Sequence, residues 1–291
     1  MSGIVVGVDP SHGGAAALDW AVAQAVRTSQ PLTAVRAYSL PSYGMDYPGG
    51  SVLADTMEGI VRREQELAQT ALEESCARVE GADAVEAKAI ATMGSPSQEL
   101  LKAAQDADLV VVGSRGAGAL SRAVLGSVSS SVLHHASLPV VVVPEGGHPA
   151  TGAPPRVLVA VDHSAPSLAA LAWAVEEARA LGAVLVPVTV RGEIISTGDV
   201  PVSLAQLEAS ERHALEAAAE EAGARTEPKV PVEADVLAGH AGEVLIAESE
   251  RADLLVMGSR GRGGFASLLL GSTSTQAAGH ASCPVVVVRQ A

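Results

Sequence analysis

The feature that most constrains the fold of this chain is an internal repeat. Residues 4–9 recur as residues 157–162, at an offset of 153 residues, and residues 108–116 recur as residues 253–261, at an offset of 145. Two blocks repeated in the same order indicate duplication of one domain, because chance similarity between Ala- and Val-rich segments would mimic one block rather than both. The smaller second offset predicts about eight extra residues in the first copy, in the turn-rich stretch 40–50.

The repeat divides the 291 residues into two domains of ordinary size. We predict a first domain over residues 1–145, a linker over residues 146–155 and a second domain over residues 156–291. The linker is rich in Gly and Pro and has no hydrophobic periodicity.

Within each copy, short apolar runs alternate with helical patterns. Residues 110–112 and 140–143 are apolar at every position, which is typical of strands buried on both faces of a parallel sheet. This predicts an α/β fold of two tandem, doubly wound, five-stranded parallel sheets with helices on both faces. A ligand then lies beyond the carboxyl ends of the strands, where the strand order reverses. In the first copy we predict strands near 4–8, 32–37, 85–91, 109–112 and 140–143, and helices near 15–28, 56–79, 97–105 and 123–135.

Composition excludes several classes of function. A net charge of −14 repels nucleic acid and anionic lipid, although backbone N–H groups can still bind a single nucleotide. Aromatic residues make up only 2% of the chain, which disfavours base stacking on side chains. Cys76 and Cys283 occupy non-equivalent places, which indicates ordinary thiols rather than a disulfide framework or a zinc site. With no basic leader and no apolar run approaching the ~20 residues of a membrane span, we expect a cytoplasmic protein.

A glycine motif follows the fourth predicted strand of each copy. Gly113 and Gly116 are followed after nine residues by Gly126-Ser127, and the same spacing recurs from Gly258. Glycine admits a ligand close to the backbone, and a helix N-terminus with hydroxyl side chains favours phosphate. A single Gly-Ser pair before a helix is ordinarily an N-cap, but the duplicated spacing favours a binding site. The pattern is neither a Walker P-loop nor a Rossmann fingerprint.

Asp9 and Asp162 end the first strand of their copies, which places a carboxylate at the ligand edge of each sheet. Such a carboxylate can bond a ribose hydroxyl or help to hold a hydrated Mg²⁺ ion. The alternative is a helix N-cap, a role for which Ser11 and Ser164 compete.

The glycine motif, the aspartate after the first strand and the Pro-Val-Val-Val-Val last strand together resemble the ATP-binding universal stress proteins, over nearly the whole chain and twice. The resemblance implies ATP as ligand. We expect Mg²⁺ to be held mainly through the nucleotide phosphates, with Asp9 and Asp162 as candidate further ligands. The resemblance implies that Gly113, Arg115 and Gly116 wrap the ribose and phosphates, that Gly126, Ser127 and Ser129 hold the phosphate tail, and that Asp9 and the backbone of Ala37 meet ribose and adenine. The matching residues of the second copy are Asp162, Val190, Gly258, Arg260, Gly261, Gly271, Ser272 and Ser274.

This resemblance implies a nucleotide-dependent stress-response regulator with at most slow hydrolysis and no predicted catalytic residue. An adenylate-forming enzyme of related fold is an alternative, but residues 9–14 lack the Ser-Gly-Gly-x-Asp-Ser loop of that class. A sensor of AMP or cyclic AMP is another alternative. An electron-transfer flavoprotein-like subunit is disfavoured by the scarcity of aromatic residues.

The last strand of each copy, residues 140–143 and 285–288, is apolar and is expected at a sheet edge. Unpaired strand edges promote aggregation and are usually covered. We therefore expect the two edges to pair within one chain as a pseudo-symmetric unit. No specific residue indicates a further homodimer of whole chains.

Overall fold

The structure is a computed structural model of the chain, and it describes residues 3–39, 50–116, 125–146, 154–192, 204–223, 227–261 and 270–289. The first copy consists of β1 (Ile4–Gly7), α1 (His12–Thr28), β2 (Leu32–Tyr38), α2 (Gly50–Arg78), β3 (Ala87–Met93), α3 (Pro96–Ala103), β4 (Leu109–Gly113), α4 (Ser127–His135) and β5 (Val140–Val143). The second copy consists of β6 (Arg156–Ala160), α5 (Ala165–Leu181), β7 (Val184–Arg191), α6 (Leu204–Gly223), β8 (Asp235–Ala238), α7 (Ala241–Glu248), β9 (Leu254–Gly258), α8 (Ser272–His280) and β10 (Val285–Val288).

The predicted elements are present, with shifted ends. The third strand begins two residues later than expected, because residues 82–84 form a short 3₁₀ turn that Val85 closes. Helix α2 already includes Gly50, six residues before the predicted start. The predicted insertion in 40–49 and most of the predicted linker lie outside the described residues, as does the start predicted for the fourth helix.

Each copy forms a parallel sheet in which β1 or β6 lies between two neighbours. Val6 of β1 is in register with Ala34 of β2 on one side and with Val111 of β4 on the other. The strand order within the first copy is β3-β2-β1-β4-β5, and the second copy repeats it as β8-β7-β6-β9-β10. The order reverses between β1 and β4 and between β6 and β9, which is where a parallel sheet of this kind opens a crevice for a ligand.

The two sheets meet edge to edge. Strand β5 lies antiparallel to β10, with Val141 opposite Val286, so the sheet of the whole chain has ten strands. All four residues of each of these strands are buried.

Helices cover both faces of this sheet. One apolar cluster joins α1, α2, α5 and α6 to one face, and a second joins α3, α4, α7 and α8 to the other. Alternate valines of a single strand enter different clusters, as Val141 and Val142 of β5 do, because successive side chains in a strand point to opposite faces. Over the described part of the chain, no helix is both long and apolar enough to cross a membrane.

A polar contact joins the two copies where α1 meets α5. The side-chain amide of Gln24 donates to the Glu177 carboxylate at 2.6 Å, and these two positions are equivalent under the 153-residue offset. Arg27 lies 3.6 Å from the same carboxylate. Glu177 is 5% exposed, and burial raises the pKa of its carboxyl group above the ordinary value, although Gln24 and Arg27 act in the opposite direction.

The raised pKa predicts a pH-dependent contribution to stability. A folded-state pKa above the unfolded value of 4.5 adds stability that is fully present below pH 4.5 and is lost as the pH rises through the folded pKa. The free energy of unfolding of the native chain, measured relative to Glu177→Gln, should therefore increase as the pH falls from 7 towards 4.5. Urea unfolding of both proteins across this range measures the difference, and a difference independent of pH would contradict the assignment.

Candidate functional site

The carboxyl end of β1 leads into a capped helix. The Asp9 carboxylate accepts hydrogen bonds from the backbone N–H of Ser11 at 3.1 Å and from its hydroxyl at 2.5 Å. The Ser11 hydroxyl accepts in turn from the backbone N–H of Gly14 at 3.0 Å and so caps α1. Ser11 therefore occupies the N-cap position, and Asp9 orients it from the end of the strand.

The second copy repeats this arrangement. The Asp162 carboxylate accepts from the backbone N–H of Ser164 at 3.0 Å and from its hydroxyl at 2.5 Å. Ser164 is the N-cap of α5 and accepts from the backbone N–H of Ser167 at 3.4 Å. The same contacts occur in both copies, which indicates that the Asp-x-Ser turn is a structural element of each domain.

The first glycine of each motif is required by packing against a helix. A Cβ atom on Gly113 would lie 2.6 Å from the carbonyl oxygen of Gly13, at the start of α1. On Gly258 it would lie 2.7 Å from the carbonyl carbon of Pro166, at the start of α5. The sequence explained these glycines by close approach of a ligand. In the structure the same glycines allow α1 and α5 to approach the ends of β4 and β9.

The second glycine of each motif lies directly beside the aspartate that follows the first strand of its copy. A Cβ atom on Gly116 would lie 2.6 Å from the Asp9 carboxylate, and one on Gly261 would lie 2.5 Å from the Asp162 carboxylate. Both glycines are exposed. The aspartate and the motif, which are far apart in the sequence, thus form one surface at the carboxyl edge of the sheet.

The N-terminus of α4 completes this surface in the first copy. Gly126 is the N-cap residue, no side chain caps the helix, and the first turn contains no acidic residue. Its first-turn N–H groups have no partner within the helix, which favours an anion there. Ser127 is exposed beside them. Ser129 is buried, and its hydroxyl donates a hydrogen bond to the carbonyl oxygen of Gly113 at 2.6 Å. The hydroxyl proton therefore has an acceptor within the protein and is not available to a ligand.

In the second copy, Ser274 donates in the same way to the carbonyl oxygen of Gly258 at 2.9 Å. Ser272 is exposed at the start of α8, as Ser127 is at the start of α4. Of the two predicted serines in each copy, the first faces solvent and the second fastens the helix to the strand end.

A cavity of about 470 Å³ opens at the carboxyl edge of the second sheet. This volume is typical of small-molecule sites. All the positions predicted for the second copy lie on its wall: Asp162, Val190, Gly258, Arg260, Gly261, Gly271, Ser272 and Ser274. The fold brings together residues from the ends of three strands and from the start of α8.

Sequence reasoning missed the apolar part of this cavity. The cavity is also lined by Leu245 of α7, Met257 of β9 and Val188 of β7, and by Leu270, which directly precedes Gly271. The place of Met257, directly before Gly258 on a buried strand, is the signal that could have indicated it. Nothing in the sequence indicates Leu245, because α7 reaches the cavity only through the packing of the sheet.

In the first copy, Ala37 lies near the end of β2, in register with Thr92 of β3. Arg115 follows β4 and is 22% exposed at the side chain. Among the described residues, no group of three or more His, Cys, Asp or Glu side chains is arranged to hold a metal ion.

Comparison with known proteins agrees with this architecture. The model of the universal stress protein family matches residues 1–144 and again residues 155–289. The chain belongs to the universal stress protein family. A universal stress protein of Mycolicibacterium smegmatis is 35% identical over 292 residues, covering 99% of this chain and 97% of its own length. The universal stress protein Rv2005c of Mycobacterium tuberculosis is 34% identical over 304 residues, with the same coverage.

The fold of the two universal stress protein domains also matches a solved structure. The crystal structure of a universal stress protein from Archaeoglobus fulgidus superposes with a TM-score of 0.68 at 24% identity. The match covers 99% of this chain and 96% of the other. The tandem α/β arrangement therefore extends over nearly the full length of both proteins.

The packing of Gly113 predicts a large cost of substitution. Gly113→Ala places a methyl group against the backbone of α1 and should lower the free energy of unfolding by about 1–3 kcal/mol. Gly192→Ala is the matched control, since a Cβ atom there meets no other atom within 4 Å. The control should change stability by about 0.5 kcal/mol or less. Chemical unfolding of both variants measures this, and equal stabilities would show that Gly113 is not constrained by α1.

Proposed function

We propose that this universal stress protein binds adenine nucleotide at two sites, one at the carboxyl edge of each sheet, and acts as a nucleotide-dependent stress-response regulator. The observation that carries the proposal is the cavity of the second domain, whose wall contains every residue that the sequence motif predicted there. A cavity with an apolar wall and a few convergent polar groups is the usual form of a small-molecule site.

The lining suggests how a nucleotide would lie. Val188, Leu245 and Met257 offer an apolar surface for adenine, and Val190 offers backbone groups beside it. Asp162 provides a carboxylate for a ribose hydroxyl. Arg260 and the N-terminus of α8 provide positive potential for the phosphates.

The first domain repeats the polar part of this arrangement. Its Asp9–Ser11 turn, its contact between Gly116 and Asp9, and its uncapped α4 N-terminus match those of the second domain. These shared contacts support a second nucleotide site built from Asp9, Ala37 and the glycine motif of residues 113–129. We propose this site within a first domain of residues 1–145, with the other site within residues 156–291 of a cytoplasmic protein.

We propose that Mg²⁺ binds together with the nucleotide rather than before it. Each site offers one aspartate, which is too few protein ligands for a resident ion. A Mg²⁺ ion bound to the phosphates requires only one or two carboxylates, and Asp9 or Asp162 would hold it there. The ion would offset part of the phosphate charge in an acidic protein.

Binding rather than rapid turnover is supported by what surrounds the cavity. Fast phosphoryl transfer needs several cationic groups and a residue that positions the attacking group. Among the described residues on the cavity wall, Arg260 is the cation and Asp162 is the carboxylate, and Asp162 already accepts two hydrogen bonds from Ser164. A slow ATPase and a sensor of AMP or cyclic AMP remain the alternative proposals.

We also propose that the antiparallel contact of β5 and β10 forms within one chain and makes the two sites a pseudo-symmetric pair. The contact between Gln24 and Glu177, at equivalent positions of α1 and α5, supports this arrangement. The same edge surfaces would be available for pairing between chains only if the two halves separated.

A glutamate substitution in one domain tests that domain's proposed site independently of the other. Gly116→Glu must displace the Asp9 carboxylate, and it adds negative charge beside the phosphates. It should abolish binding in the first domain and leave the second nearly intact, and Gly261→Glu should do the reverse. Calorimetry with ATP and Mg²⁺ should show about two nucleotides per native chain, one per single variant and none for the double variant.

The matched control is Gly59→Glu, since Gly59 lies on α2 and a Cβ atom there would meet no other atom within 4 Å. It should bind like the native protein. A thermal melt of each variant distinguishes an emptied site from an unfolded domain. A folded double variant that still binds ATP fully would show that the glycine motif is only a turn.

Turnover should be slow. We expect phosphate release from ATP well below the ~1–100 s⁻¹ of kinases, because no positioned base lies on the described cavity wall. A coupled phosphate-release assay on nucleotide-free protein measures the rate. A rate in the kinase range, lost in the double glutamate variant, would favour the enzyme alternative.

A further inference from the structure

The two domains differ in charge directly after their last strands. Under the 145-residue offset, Pro144 and Glu145 correspond to Arg289 and Gln290. At both positions the second domain is more positive by one charge. Val143 and Val288 are in register with Gly113 and Gly258 of the glycine motif, so Pro144 and Arg289, which directly follow them, lie at the rim of the proposed nucleotide sites.

Glu145 lies between two cationic or protonatable side chains of the first domain. Its carboxylate is 3.7 Å from the guanidinium of Arg115 and 3.6 Å from the ring of His12. Arg115 is also next to the N-terminus of α4, since a Cβ atom on Gly126 would lie 3.4 Å from the Arg115 Cα. Arg115 therefore has its backbone beside the helix end that would receive the phosphates and its guanidinium beside the negative charge of Glu145.

Arg289, the counterpart of Pro144, adds a positive charge directly after the last strand of the second domain. Its guanidinium donates to the carbonyl oxygens of Leu133 and, at 2.9 Å, His134 at the end of α4. Burial lowers the pKa of Arg289, and the positive charge of Arg260 lowers it further. The counterpart of Glu145 in the second domain is Gln290, which carries no charge.

We propose that Glu145 is a specificity-determining residue that makes the two sites unequal. The first site favours an adenine nucleotide with few phosphate charges, and the second favours the triphosphate. This inference rests on the proposed nucleotide binding. Without bound Mg²⁺, ATP carries about two more negative charges than AMP. Repulsion by Glu145, and its competition for Arg115, therefore weaken ATP binding more than AMP binding.

The test measures ATP and AMP affinities at each site separately by calorimetry without Mg²⁺, at low and at high salt. Gly261→Glu leaves the first site and Gly116→Glu leaves the second. The ratio of ATP affinity to AMP affinity should be smaller at the first site. Adding Glu145→Gln to the Gly261→Glu chain should raise ATP affinity by about threefold or more and change AMP affinity less, with the effect shrinking at high salt because exposed charges are screened.

Glu80→Gln is the matched control, because it removes the same charge from an exposed residue beyond the end of α2. It should leave both affinities at the first site unchanged. Equal ATP-to-AMP ratios at the two sites, or a Glu145→Gln effect that is absent or equal for both nucleotides, would overturn the inference and leave the proposed function standing. Absence of ATP and AMP binding at both sites, in folded protein, would overturn both.

Discussion

Burial of the central strands on both faces is the constraint on which the rest of this structure depends. Strands such as β4 and β5 consist of valines and other apolar residues, and alternate side chains enter the two apolar clusters of the core. Helices must therefore cover both faces, and within each copy every strand connects to the next through a helix. Within each copy all strands run parallel, so every carboxyl end opens onto the same edge.

Residues that are far apart in the sequence meet at this shared edge, and glycines among them leave room for close contacts. Gly113 allows α1 to approach the end of β4, and Gly116 leaves room for the carboxylate of Asp9. Asp9 in turn orients Ser11, which caps α1. Helix packing, helix capping and the position of the half-buried aspartate thus depend on one another. A substitution at either glycine is expected to affect the fold of the edge as well as any ligand bound there.

Duplication placed two such edges in one sheet, and the copies have since diverged at the rim. The polar turns and glycine contacts are the same in both copies. The residues after the last strand differ, with Glu145 beside Arg115 in the first copy and the neutral Gln290 at the equivalent sequence position of the second. A change at the rim alters the electrostatic potential at the phosphates without disturbing the valine core, because the rim is outside the packed layers.

The duplication, the α/β class, the family and the glycine motif could be predicted from the sequence, because repeats, periodicity and spacing are read directly from the order of residues. The sequence also indicated the competition between Asp9 and Ser11 for the cap, which the structure resolves in favour of Ser11. Three properties became visible only in the tertiary structure. Gly113 packs against α1, the Ser129 hydroxyl donates to the carbonyl oxygen at the end of β4, and Leu245 lines the cavity. These properties depend on distances between segments remote in sequence, and such distances are set by how the helices pack on the sheet.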